Sequence, residues 1–220
     1  MKKADQICAY CGEREGLTDD HIPPKNLFPK PRPSDLITVP CCEQCRAGWS
    51  KDDEYFRLAI TMHESTNGNA IAEKNHEIIR KSLTRPESAG FAKHVLSNLG
   101  LVNLTTPAGL DLGEAPAFRV EAIRINRVAE RIIKALFFRE KDIPVPVGYE
   151  VICRPMIGKM DKTLEIFPLH KFKPWITVGD KVFAYTYAET SEDNFSCVWY
   201  LMFYESVPFV GFTVKPKTMR

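Results

Sequence analysis

"DDHIPPKNLFPKPRPSDLITVPCCEQC", residues 19–45, closes on a Cys-x-x-Cys pair, Cys42 and Cys45, and "CAYC" upstream supplies a second pair, Cys8 and Cys11. Each pair has the bite that sets two thiolates on one tetrahedral ion, and two such pairs in a short segment signal a structural Zn²⁺. Cys41 competes with Cys42, but only Cys42 leaves a two-residue gap to Cys45. Residues 1 to about 50 are rich in Cys, Pro and turn formers and show no long periodic run, which suits a module stapled by metal. Zinc joining the two pairs folds the intervening loop back on itself. "DDHIPP", Asp19 to Pro24, is then held beside the metal knuckle.

Working outward, the chain carries seven cysteines, an odd number, and most of them crowd into this first segment, so a secreted disulfide framework fits poorly. The opening "MKKADQICAYCGE" lacks the apolar run of a signal peptide, and no stretch approaches about 18 uninterrupted apolar residues. A cytoplasmic protein with no membrane partner is expected. The formal net charge of +2 excludes a global field that draws in nucleic acid or lipid, so any basic surface is local. An apolar content of 44% supports a sizeable core in a chain of 220 residues, while the oligomeric state is left open.

Downstream of the head, apolar residues recur at helical spacing: Phe56, Ile60 and His63, then Ile71, Ile78, Ile79 and Leu83. A third helix is predicted through "PESAGFAKHVLSNL", entered at Pro86 and stopped by Gly100. "VEAIRINRVAERIIKALFFRE" has the clearest period, with Ile125, Val128, Ile132, Ala135 and Leu136 on one face. Arg124, Arg127, Arg131 and Lys134 line another. They read either as a phosphate-contacting strip or as a solvated face partly paired with Glu121 and Glu130. After Pro144 the pattern becomes aromatic and β-branched in "YEVICRP", "KTLEIFPL", "DKVFAYTYAE", "FSCVWYLMFYE" and "VPFVGFTV", which predicts an antiparallel meander with Cys153 and Cys197 buried in it. The fold class is α+β: a head over residues 1–60, then a region over 61–220 with helices to about 141 and an antiparallel sheet from about 147.

CxxC, then Asp20-His21 with nearby prolines, then Leu36 and Pro40 running into a second CxxC, resembles the HNH endonuclease superfamily with its ββα-metal fold. "DHIPPKNLFPKPRPSDLITVPCCEQC" followed by "SKDDEYFR" is similar to a bacterial subgroup of it, and the resemblance covers roughly residues 6–60. It implies His21 as the general base that deprotonates water and Asp20 as ligand to a catalytic Mg²⁺ or Mn²⁺. The chemistry is consistent, because an imidazole with a pKa of about 6.5 accepts a proton at pH 7 and a hard carboxylate suits such ions. The implied partner is nucleic acid, with DNA as the expected form. A local turn capped by Asp19 or Asp20, with His21 merely packed at the surface, is the alternative for these residues.

Where the family places Asn or His after the last knuckle cysteine, this chain has Arg46, which cannot ligate a cation but can hold a phosphate. Asp53 in "SKDDEYF" is the replacement ligand, with Asp52 next to it. Gly48 argues against one helix through Arg46 and Asp53, and Ser50 with these acids equally makes a helix start. Lys25, Lys30 and Arg32 in the Pro-rich loop are candidate backbone-phosphate contacts. His63, His76 and His94 read as ordinary helix histidines, and His170 as a strand-end residue.

Overall fold

The computed structural model describes residues 6–106, 108–156, 171–190 and 193–216. "KTLEIFPL", His170 and the turn at Gly158 lie outside the described residues.

The chain begins with an antiparallel hairpin of β1 (Leu17–Ile22) and β2 (Ile37–Cys42), in which Leu17 faces Cys42, Asp20 faces Val39 and Ile22 faces Ile37. Alternation along β2 turns Ile37, Val39 and Cys41 into the core and leaves Thr38 exposed. A short helix α1 (Glu43–Arg46) follows at once, its first turn capped by the Cys42 sulfur, which accepts from the Cys45 N–H. Gly48, with φ +86°, breaks the helical path as the sequence predicts, and α2 (Trp49–Thr61) starts in a new direction. The cap of α2 is therefore Gly48 and not Ser50, which lies inside the first turn; Asp52 supplies the acid near the positive helix end.

Helix α3 (Ala70–Leu83) is capped by Asn69, whose Oδ1 accepts from the N–H groups of Ile71 and Ala72. Helix α4 (Ala89–Ser97) is entered through a 3₁₀ turn at Pro86 and stops short of Gly100. Gly100 belongs instead to a second hairpin, β3 (Leu99–Thr105) with β4 (Asp111–Phe118). The expectation of an uninterrupted helical middle is thus corrected. Helix α5 (Ala122–Lys141) buries Ile125, Val128, Ile132, Ala135 and Leu136, the face read from the sequence.

The C-terminal sheet contains β5 (Glu150–Pro155), β6 (Ile176–Val178), β7 (Phe183–Glu189), β8 (Cys197–Phe203) and β9 (Val207–Val214) in the order β5-β9-β8-β7-β6, antiparallel throughout. Cys153 and Cys197 are fully buried in it. Helix α5 lies on its face beside β5 and β9, and Gly211 makes that approach possible: a Cβ there would strike Ile133 and press on the Ile152 carbonyl oxygen, 3.0 Å away. The head shares this core, since one hydrophobic cluster joins Ala9, Ile22, Leu27, Phe28, Ile37 and Val39 to α2, α5 and the sheet as far as Phe209. Polar ties reinforce the join. Tyr204 and Asn75 both donate to the Leu27 carbonyl at 2.8 Å, and Asp35 accepts from the Gly179 N–H at 3.0 Å. No helix among the described residues is long and apolar enough to cross a membrane.

Candidate functional site

The hairpin brings the two cysteine pairs together. The Sγ atoms of Cys8, Cys11, Cys42 and Cys45 all lie within 4.8 Å of one another, with Cys11 and Cys42 at 3.6 Å. Thiolates at about 2.3 Å from a tetrahedral zinc are separated by roughly 3.8 Å, so the donor set and its spacing fit that ion. The Cys8–Gly12 turn is closed by Gly12 N–H on the Cys8 carbonyl at 2.9 Å, and the Cys42 and Cys45 N–H groups donate to Cys8 and Cys42 sulfur at 3.4 Å. Burial pushes the Cys8 thiol up, but N–H groups of Cys42, Tyr10 and Cys11 outweigh it and bring it down to about 7, favouring the ligating thiolate. Cys41 faces the core outside this group, and burial with the nearby Asp20 charge pushes its thiol up to about 12.

A cleft of about 260 Å³ is lined by Asp20, His21, Lys25, Asn26, Arg46, Trp49 and Asp53, among others. Adjacent strand residues alternate in direction, yet both Asp20 and His21 contribute to this cleft where β1 meets the Pro-rich loop. Asp20 accepts a 2.6 Å hydrogen bond from the Tyr10 hydroxyl through Oδ2, and burial together with that carboxylate holds the tyrosine proton firmly in place. Burial and the Lys25 ammonium push the His21 pKa down against the opposing pull of Asp20, so the ring is neutral at pH 7.

Asp53 reaches the cleft from the second turn of α2 and is ion-paired from behind with Arg131 of α5. Burial, helped by Asp20 and Asp52, raises the Asp53 pKa despite this pairing. The Arg131 guanidinium in turn stacks over the Trp49 ring, 4.3 Å from its centroid, and Trp49 meets Tyr10 edge-on at 4.9 Å. The basic strip of α5 therefore finds its partners mainly on α2. Arg124 and Arg127 reach Asp52 at 2.8 and 2.7 Å, while Glu130 pairs with Arg154 and Glu121 lies 4.0 Å from Arg124.

Arg46 also lines the cleft and donates to Thr18 Oγ1 at 3.1 Å. Of the loop cations, Lys25 lines the cleft; Lys30 and Arg32 are exposed beyond it, Arg32 donating to the Lys25 carbonyl at 3.3 Å. His63 is exposed past the end of α2, His76 meets the Thr61 carbonyl, and His94 lies 2.6 Å from Glu121, all away from the cleft.

Comparison with known proteins returns nothing: no family model, no curated protein and no solved structure matches the chain.

Among the described residues, Tyr10 occupies one oxygen of Asp20 and Arg131 one oxygen of Asp53, so each carboxylate keeps a second oxygen without a protein hydrogen bond. Asn26, which the sequence reading passed over, donates to the Asp53 carbonyl at 2.9 Å while its Oδ1 is buried without a partner. A buried acceptor left unpaired costs about 1–3 kcal/mol, and a bound cation or water relieves it. Among the described residues the four cysteines are the group of His, Cys, Asp and Glu ligand atoms close enough together to hold an ion; Asp20, His21 and Asp53 share a cleft without forming such a group. The one sequence signal for Asn26 is its place four residues after Ile22, where β1 ends, next to Lys25 at the start of the Pro-rich loop.

Proposed function

We propose that the chain is a metal-dependent endonuclease of HNH type, hydrolysing phosphodiester bonds in nucleic acid, with DNA as the expected substrate and a ββα-metal module at residues 1–60. The observation that carries this reading is the sharing of one cleft by Asp20, His21 and Asp53, at one end of a hairpin whose other end is pinned by four cysteines. Cys8, Cys11, Cys42 and Cys45 hold structural Zn²⁺; Asp20 and Asp53 are the ligands offered to Mg²⁺ or Mn²⁺, with Asn26 beside them.

In this reading His21 removes a proton from water through its unprotonated ring nitrogen as the water oxygen bonds to phosphorus. The bond from phosphorus to the leaving oxygen breaks, and that oxygen departs with the electron pair. When bound, the divalent ion neutralises charge on the phosphate and the leaving oxygen. Asp20, fixed by Tyr10, orients the site, while Lys25 and Arg46 face the phosphate with Lys30 and Arg32 further along the backbone.

A second reading has its own support. Arg46 stands in the cleft and Arg131 already neutralises Asp53, which fits a zinc-stabilised nucleic-acid-binding protein that does not cut. Plasmid nicking by the purified chain with Mg²⁺ or Mn²⁺ separates the two. The nuclease requires nicking that His21→Ala and Asp20→Asn each lower by at least about a hundredfold. Salt-sensitive binding with no nicking by the native chain establishes the binder instead.

A further inference from the structure

The hairpin β3–β4 stands apart from every device described so far. Every residue of β3 is exposed, and neither edge of this two-stranded sheet is paired among the described residues. Two strands alone are marginal in water, and these two carry a heavy apolar load: Leu101 is 67% exposed and Leu112 61%, with Leu99, Val102 and Leu104 exposed as well and Leu110 of the connecting loop 64% exposed. Leu99 and Leu101 lie on one face of β3 and Val102 and Leu104 on the other, so both faces of the strand present apolar surface to water. Leu96, Val120 and Ile123 extend the exposed apolar surface at the hairpin base.

The two edges differ. β4 contains Pro116, which lacks an N–H, together with Asp111 and Glu114, the features that blunt an edge. β3, "LGLVNLT", has no proline and no charge along its whole length. The hairpin as a whole carries acids and no Lys, Arg or His, so it is not built to meet nucleic acid or an anionic lipid surface. An uncharged edge strand meets a copy of itself without repulsion, and a two-fold axis makes two identical strands antiparallel automatically.

From the open β3 edge and the absence of charge on either face of that strand, we propose that two copies of this chain pair β3 to β3, forming one four-stranded sheet across the two-fold. Val102, at the middle of β3, lies near that axis, and Leu101 and Leu104 become cross-strand neighbours of the partner's side chains. The hairpin's small share in the core leaves the pairing free to form without disturbing the cleft. Phe118, packed on Tyr55 at 5.7 Å, anchors it to the body.

Sedimentation of the full chain over a wide concentration range tests this. The native protein is expected at twice the chain mass, and the double variant Leu101→Glu/Val102→Glu at one chain mass with unchanged circular dichroism and melting temperature. Amide exchange gives an independent reading: protection of residues 99–105 rises with protein concentration in the native chain and not in the variant. A native protein that stays monomeric throughout overturns the proposal. So does a variant that remains dimeric, β3 protection independent of concentration, or flotation with neutral phosphatidylcholine vesicles in place of dimer formation.

Discussion

The guanidinium of Arg131, buried between α2 and α5, is asked to do two things at once: pair with Asp53 and cap the Trp49 ring. Arg131→Ala removes both and leaves a largely buried carboxylate with no counter-charge, so denaturant unfolding should show a loss of about 3–5 kcal/mol. Adding Asp53→Asn should return part of that loss, because the orphaned charge is then gone. A double variant as unstable as Arg131→Ala alone would show that the ring stack matters and the ion pair does not. Neither effect was legible in the sequence, where Arg131 and Asp53 stand far apart on separate helices and Arg131 belongs to a strip that looks solvated. The cysteine quartet was fully legible, because its information is spacing along the chain.

Asp52 gives a pH-dependent counterpart. Burial opposes its ionisation, but hydrogen bonds and charge from Arg124 and Arg127 win and hold its carboxyl below the usual carboxylate range. A depressed folded pKa contributes stability that is fully present above the unfolded value and disappears as pH falls through the folded one. Asp52→Asn should therefore cost about 1–3 kcal/mol at pH 7, and the gap to the native protein should close as pH drops below about 4. A gap constant across that range would remove the ionised pair as its cause.

At the scale of elements, two glycines separate two kinds of constraint. Gly48 sits at φ +86° with open space around its would-be Cβ, so Gly48→Ala should cost about 1–2 kcal/mol from backbone strain alone. Gly211→Ala meets no such backbone penalty but drives a methyl into Ile133 and toward the Ile152 carbonyl, forcing α5 off the sheet; about 1–3 kcal/mol is expected, partly recovered by Ile133→Val. Chemical denaturation of the three variants decides whether the second loss is steric. The elements also show why sequence periodicity succeeds and fails. Helix α5 buries the face of Ile125, Val128 and Ile132 and β9 alternates buried with half-buried residues, so their periods are visible. Strands β7 and β8, buried on both faces, are legible as aromatic and β-branched runs. Strands β3 and β4 bury almost nothing, and with leucine on both faces they offer no alternation to read; Gly100 then passed for a helix stop.

Across the whole molecule, the cysteine-rich head and the C-terminal sheet draw on one hydrophobic cluster. A four-thiolate zinc site is worth roughly 10 kcal/mol or more of apparent binding energy, comparable with the about 5–15 kcal/mol that holds an entire domain folded. Chelation should thus unfold the chain in a single transition, with the near-ultraviolet signal of buried Trp199 lost together with helix content. Separate transitions for head and sheet would mean that Leu27, Phe28 and their neighbours add little to the common core.

The contact between Tyr204 and the Leu27 carbonyl spans 177 positions of sequence. The loop that follows Asp20 and His21 leaves the ribosome well before β8, and the hydroxyl that fastens it comes directly after that strand. Until β8 has been made and has docked, the Leu27 carbonyl lacks the tyrosine hydroxyl that ties it to the body. Fastening of this loop is thus a non-local step, of the kind whose closure entropy slows folding.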